Sequence, residues 1–227
     1  AQALAWAGAK VVVVGRNEER GAQVVADIEA DCGAGQAIFV KCDVSKEEDM
    51  ANLKEKALAA FGKVDILINN AMNLALNGKV LESTIDDLDL SYAISARGVF
   101  FGANAFVPDM IKRGHGTVVY STTQFMYLPP MIGGAMYTAG KSAATSLMMS
   151  LANEVADTGV NVFCLCPAGV GQFNPDTMKD VHFDLDTFAM PGFKGHIPID
   201  AAGAGLLYCI SRGDEIRGCG MLMGDVL

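Results

Sequence analysis

The sequence predicts an α/β fold, a doubly wound parallel sheet within a single domain. Short Val- and Ile-rich runs alternate with longer segments of helical periodicity, the pattern of repeated strand–helix–strand units. The runs show little in/out alternation, as strands do when helices cover both faces of a parallel sheet. At 227 residues the chain is of a size at which α/β folds form as one unit.

In chain order, the opening AQALAWAGAKVVVVGRNEERG reads as the end of a helix, a glycine turn, a buried strand and a second helix. Apolar runs predict strands at 10–14, 36–41, 64–68, 117–121, 161–166 and 221–223. Periodic segments predict helices over 18–30, 46–61, 85–112, 136–157 and 199–211. Residues 171–198 interrupt this order, with Pro175, Pro191 and Pro198 and no clear period. Phe173, Met178, Phe183, Phe188, Met190 and Phe193 make the segment too apolar for a disordered linker. It is expected to be a substrate lid over an apolar site.

Composition narrows the function classes. Hydrophobic residues make up 51% of the chain and charged ones 19%, enough for a large core. No uncharged apolar run approaches the ~18 residues that span a bilayer, and the start lacks the basic region of a signal peptide. A net charge of −9 disfavours a nucleic-acid surface. The expectation is a cytoplasmic protein acting on a small molecule, with neither nucleic acid nor membrane as partner. Cys164 and Cys166 form a C-x-C pair on one strand face with no histidine near in sequence, so they read as core thiols rather than metal ligands.

The most specific local signal is YTAGK, residues 137–141. On a helix, i and i+4 share a face, so the Tyr137 phenol and the Lys141 ammonium can address one small volume. A nearby positive charge favours phenolate, which would bring a phenol of ordinary pKa ~10 toward useful proton exchange. The surroundings strengthen the signal. GTVVYSTT ends in hydroxyl residues, VDILINNA in a polar pair, VKCDVS in an aspartate, and CLCPAGV in a Pro/Gly turn. Each lies at the carboxyl end of an expected strand, where ligands bind in open α/β sheets.

These motifs, in this order, resemble those of the short-chain dehydrogenase/reductase family of the classical type, and the likeness runs from end to end. DILINNA is similar to the family's N-N-A-G, YTAGK to its Y-x-x-x-K, CPAGV to its P-G turn, and FVKCDVSKEEDM to the segment whose Asp contacts adenine. The resemblance implies a Rossmann-type domain that transfers a hydride between NAD(P) and a carbonyl or secondary alcohol. It implies Tyr137 as acid/base, Lys141 as the group that lowers its pKa and holds the nicotinamide ribose, and Thr123 in the place of the family's Ser. Thr122 or Ser121 would take that place in a shifted strand register. Ser95 falls where the family has a catalytic Asn. Asp43, Val44, Asn70, Ala71, Pro167 and Val170 match cofactor-binding positions, together with Tyr137 and Lys141. A homo-oligomer, tetramer or dimer, is implied as well, through the GVFFGANAF and TSLMMSLANEV helix faces.

Cofactor choice is read from VVVVGRN. Gly15 is neutral where NAD-preferring relatives place an acid, and Arg16 follows with a guanidinium suited to a 2′-phosphate. NADP is therefore expected, with NAD as the alternative. The apolar FMYLPPMIGG stretch, with Met126, Met131 and Met136 near the Thr/Tyr pair, suggests a largely hydrophobic substrate. His115, His182 and His196 read as surface residues.

Ser95, Met72 (for the Gly of N-N-A-G) and Ala168 (for the Gly of P-G, with Gly169 next) depart from the family pattern. They define the alternative, a weakened or inactive member serving as a binding or scaffold module. The opening departs too. The family's first strand and its T-G-x-x-x-G-x-G turn have no counterpart in the sequence. The chain is thus expected to be N-terminally incomplete, with a central slot in its sheet.

Overall fold

The computed structural model of the chain describes residues 1–72, 78–123, 133–167, 170–171, 197–216 and 220–222. Helix α1 (Gln2–Trp6) leads through Gly8, at φ 90°, into β1 (Val11–Gly15). Helix α2 (Glu18–Cys32) starts where the Asn17 side chain accepts the Arg20 N–H at 2.9 Å, with Glu18 and Glu19 favouring the positive end of its dipole. Strand β2 (Ala37–Lys41) and helix α3 (Glu47–Phe61) follow, and Gly62 ends α3 in the left-handed region that costs glycine least.

Strand β3 (Ile66–Asn69) precedes a short 3-10 turn, Val80–Glu82. A capping box between Thr84 and Asp87 then opens α4 (Ile85–Tyr92). The segment Ala93–Arg97 is π-helical and runs into α5 (Gly98–Arg113). After β4 (Gly116–Ser121) come α6 (Ala135–Glu154), β5 (Val160–Cys166), β6 (Val170–Gly171) and β7 (Ile197–Pro198). The described chain closes with α7 (Ile199–Ser211), α8 (Gly213–Ile216) and β8 (Gly220–Leu222).

Every strand pairing is parallel. One sheet joins β1 to β2, another has the order β3-β4-β5-β8, and β6 pairs with β7. Two helical layers cover the larger sheet. On one side Val118, Tyr120, Val162 and Cys164 pack with Met110 of α5 and Met148 of α6. On the other, Val119, Phe163 and Leu165 pack with Cys209 of α7. Strands β4 and β5 thus bury both faces, which is why they read as unbroken apolar runs.

The outer half of the fold behaves differently. Among the described residues β1 and β3 each pair on one edge only. Beside them lies a cavity of about 480 Å³ lined by Leu4, Ala7 and Ala9 ahead of β1, by Ile66 of β3, and by Leu207 and Ile210 of α7. In β1 the side chain of Val14 is left 40% exposed, and β3 is half-buried throughout. That corrects the expectation of strands buried on both faces for β1 and β3, each of which has a neighbour on one side only among the described residues.

The helix expected over 85–112 is three pieces, α4, the π segment and α5. The π turn sits inside a continuous helical run and has no side-chain cap to mark its start, so the sequence shows no boundary there. Residues 172–196, most of the expected lid, lie outside the described residues, while the parallel pair β6–β7 brings its two ends side by side.

Candidate active site

Helix α6 begins at Gly134, which forms a parallel bridge with Gly78, and so carries Tyr137 and Lys141 one turn apart. Lys141 is only 2% exposed. Its Nζ donates to the Ser121 carbonyl at 2.5 Å and stands 4.9 Å from the centre of the Tyr120 ring. Burial brings its pKa down to about 8, with the Cys166 thiol acting the other way.

Tyr137 is half-buried, and burial raises its pKa; the Thr123 hydroxyl opposes this through a hydrogen bond and Cys166 adds to it. Lys141 is not among the described groups that move it. Desolvation dominates, and the ammonium is engaged with the β4 carbonyl.

The three hydroxyls at the end of β4 take separate positions. Thr122 meets Thr145 Oγ1 at 2.6 Å, and Thr145 donates to the Lys141 carbonyl at 2.8 Å. Ser121 contributes its carbonyl to Lys141. Thr123, 5% exposed, is the one that reaches Tyr137. Thr122 and Thr123 lie just beyond the end of β4 and turn to different partners.

Ser95 sits in the π segment, 7% exposed, facing α6. A Cβ on Gly140 would stand 3.0 Å from its Oγ and 2.3 Å from Ser91 Oγ. Ser91 in turn donates to the Met136 carbonyl at 2.5 Å. A glycine at 140 is what allows the Tyr/Lys helix to lie this close.

The remaining predicted residues mark the carboxyl edge of the strands. Arg16 is exposed just beyond β1 and makes no ion pair among the described residues. Beyond β2, burial pushes the Asp43 carboxyl up, but hydrogen bonds from Ser45 and the charges of Arg16 and Lys46 hold it below its ordinary range. Val44 packs on Gly98, so α5 is anchored beside this edge. Asn70 and Ala71 are exposed beyond β3, and Met72 is half-buried. Asn69 lies against Gly102, its Nδ2 buried without a partner. Pro167 follows β5 half-buried, and Val170 lies in β6. His115 is exposed, whereas Ala168, Gly169, His182, His196, Met126 and Met131 lie outside the described residues.

The edge therefore combines an exposed guanidinium, a carboxylate and a buried ammonium. That donor and acceptor set has the chemistry to hold the phosphate and ribose groups of a dinucleotide.

Sequence reading missed two groups at this site. Cys166 is the core thiol its strand predicts, at 5% exposed, and it also bears on both Tyr137 and Lys141. Tyr120, within the expected strand, places its ring beneath Lys141. Parity along β4 and β5 carried a signal, since Tyr120 is two residues from Thr122 and Cys166 ends the C-x-C face.

Comparison with known proteins gives a consistent result. Residues 1–180 match the short chain dehydrogenase family. The dehydrogenase LinX of Sphingobium indicum, which acts on 2,5-dichloro-2,5-cyclohexadiene-1,4-diol, is 30% identical over 223 residues, covering 96% of this chain and 86% of that protein. Tropinone reductase-like 1 of Erythroxylum coca is 34% identical over 163 residues; the match spans 67% of this chain and 60% of the relative's length. Among solved structures, a short chain dehydrogenase from Burkholderia cenocepacia in complex with NADP superposes with a TM-score of 0.82 at 26% identity, covering 96% of this chain and 87% of that one. The fold, the motifs at the strand ends and these matches agree, and the chain belongs to the short-chain dehydrogenase/reductase family of NAD(P)-dependent oxidoreductases.

Proposed function

We propose that the protein transfers a hydride between NADP and a carbonyl or secondary alcohol on a largely hydrophobic small molecule, with Tyr137 as acid/base. The observation that carries this reading is the convergence of Tyr137, Thr123 and Lys141 at one strand edge. The relatives' chemistry supports it: one oxidises a cyclic diol, and a superposable relative is complexed with NADP.

Bound nicotinamide would supply or accept the hydride. In the reducing direction Tyr137 gives its Oη proton to the substrate oxygen, and in the oxidising direction it takes one. Thr123 donates to the same oxygen and orients it. Lys141 spends one of its N–H groups on the Ser121 carbonyl and has others for ribose hydroxyls. Its positive charge stabilises the phenolate left after proton transfer. Ser95 lines the buried side of the pair. Arg16 holds the 2′-phosphate, Asp43 the adenine edge, and Asn70, Ala71, Val44, Pro167 and Val170 the remainder of the crevice.

Exposed Phe100 (53%) and Leu147 (40%), on the two helices read as packing against neighbours, support a homo-oligomer. Light scattering on Phe100→Asp checks this, with a smaller mass expected than for wild type.

NADPH oxidation over a panel of apolar ketones tests the main reading, with Tyr137→Phe as control. Turnover by wild type well above the variant is expected. Equal rates for the two across the panel would instead favour a binding module, for which the burial-raised Tyr137 is the supporting observation.

A further inference from the structure

Tyr120 is used by none of the roles above. It lies on β4 with its side chain toward α6, 1% exposed. Its ring centre is 4.9 Å from Lys141 Nζ. Its hydroxyl is buried and makes no hydrogen bond of complete geometry; Ser95 comes close enough only to ease its ionisation. The ring is thus held by packing, among Val118, Val162 and Cys164, rather than by its hydroxyl.

Lys141 needs such support. A buried ammonium gives up its hydration, and its one backbone acceptor satisfies a single N–H. Among the described residues, the groups that bear on it are the Ser121 carbonyl and the Tyr120 ring from β4 and Cys166 from β5, with Tyr137 one turn away on its own helix and Ser95 beside the adjacent Gly140. None of these is a carboxylate. The negative face of an aromatic ring is the strongest electrostatic partner left, and its attraction for a cation grows as water is removed.

We propose that Tyr120 is a positioning residue for Lys141, its ring face keeping the buried ammonium charged and directed at the site while its hydroxyl is dispensable. The role rests on the reading of Lys141 as partner of Tyr137, but the contact itself is independent of turnover. It makes Tyr120 the base of the catalytic pair in place of an acidic side chain.

The test is a direct titration of Lys141 by NMR in the full chain labelled with ¹³Cε-lysine, the signal assigned by its loss in Lys141→Arg. Position 120 carries Tyr, then Phe, then tri- and pentafluorophenylalanine, a series of similar volume and falling ring charge that preserves the core. Tyr120→Phe is expected to keep the titration midpoint, and the pentafluoro ring to lower it by about one pH unit, with the trifluoro ring between. An unchanged midpoint across the series, or a shift with Tyr120→Phe as large as with fluorination, overturns the proposal. Because no substrate is needed, the result is separable from the catalytic reading. A graded midpoint with NADPH turnover insensitive to Tyr137→Phe would uphold the ring contact and reject that reading alone.

Discussion

Gly140 of α6 meets Ser91 of α4 so closely that a Cβ on the glycine would lie 2.3 Å from the serine hydroxyl and 2.8 Å from its carbonyl oxygen. The hydroxyl could rotate away, but the carbonyl belongs to the helix backbone. Alanine gains about 1 kcal/mol of helix propensity over glycine, whereas overpacking a tight contact costs about 1–3 kcal/mol. The clash is expected to win. Gly140→Ala should lower the thermal midpoint and reduce turnover by displacing Tyr137 and Lys141 together. Calorimetry beside steady-state kinetics checks both; a variant as stable and active as wild type would show that the helices can separate freely.

Tyr137→Phe removes the proton donor while leaving the ring that fills the site. Turnover is expected to fall about 10²–10⁴-fold, the usual worth of a general acid/base. The thermal midpoint should stay close to wild type. Retained NADPH turnover would move the acid/base role to another group.

The two threonines ending β4 should separate cleanly. Thr123→Val is expected to lower kcat with little change in stability, since its hydroxyl serves Tyr137. Thr122→Val removes one of the two hydrogen bonds of Thr145, which still donates to the Lys141 carbonyl, and should cost about 0.5–1.5 kcal/mol of stability. Its effect on kcat should be small. The reverse pattern in urea unfolding and kinetics would shift the catalytic register by one residue.

Lys141 trades stability for chemistry. Its folded pKa, about 8, lies below the ordinary lysine value of 10.5, so the unfolded chain binds more protons between those values. The contribution of this group to stability therefore rises as pH increases from about 8 toward 10.5, and it is at its least favourable below 8. Removing the charge with Lys141→Met should raise stability at pH 7 by up to about 3 kcal/mol and abolish turnover. Unfolding free energies at pH 7 and pH 10 test this. A gain that is no larger at pH 7 than at pH 10 would contradict the buried charge.

The proposed role of Arg16 at the 2′-phosphate predicts a difference between the two dinucleotides. Losing a charge-assisted hydrogen bond costs about 1.5–3 kcal/mol, so Arg16→Ala should weaken NADPH about 10–100-fold and leave NADH nearly unchanged. Fluorescence titration with each cofactor in a variant that retains the wild-type fold measures the ratio. Equal losses for both would place Arg16 away from the 2′-phosphate.

Much of this fold was legible in one dimension because its signals are local. The apolar runs that become β4 and β5 follow from strands covered on two sides, and Asn17, Gly62 and the Thr84–Asp87 box mark helix ends through their own backbone chemistry. The YTAGK spacing placed Tyr137 and Lys141 on one helix face because 3.6 residues make a turn. What failed to show was the π segment around Ser95, which sits inside a continuous helical run with no side-chain cap to mark its start.

The sequence by itself determined the order of elements, the strand ends where polar residues gather, and the candidate pair on α6. Only the tertiary structure brought Thr123 to Tyr137, buried the phenol enough to raise its pKa, and set the Tyr120 ring and Cys166 beside the same ammonium. It also showed the residues that line the slot the sequence led one to expect, an apolar cavity beside β1 and β3, which among the described residues each pair on one edge. The division has one physical cause. Periodicity and capping act between residues a few positions apart, while desolvation, ring contacts and strand pairing depend on distances in space that the chain sets only after it has folded.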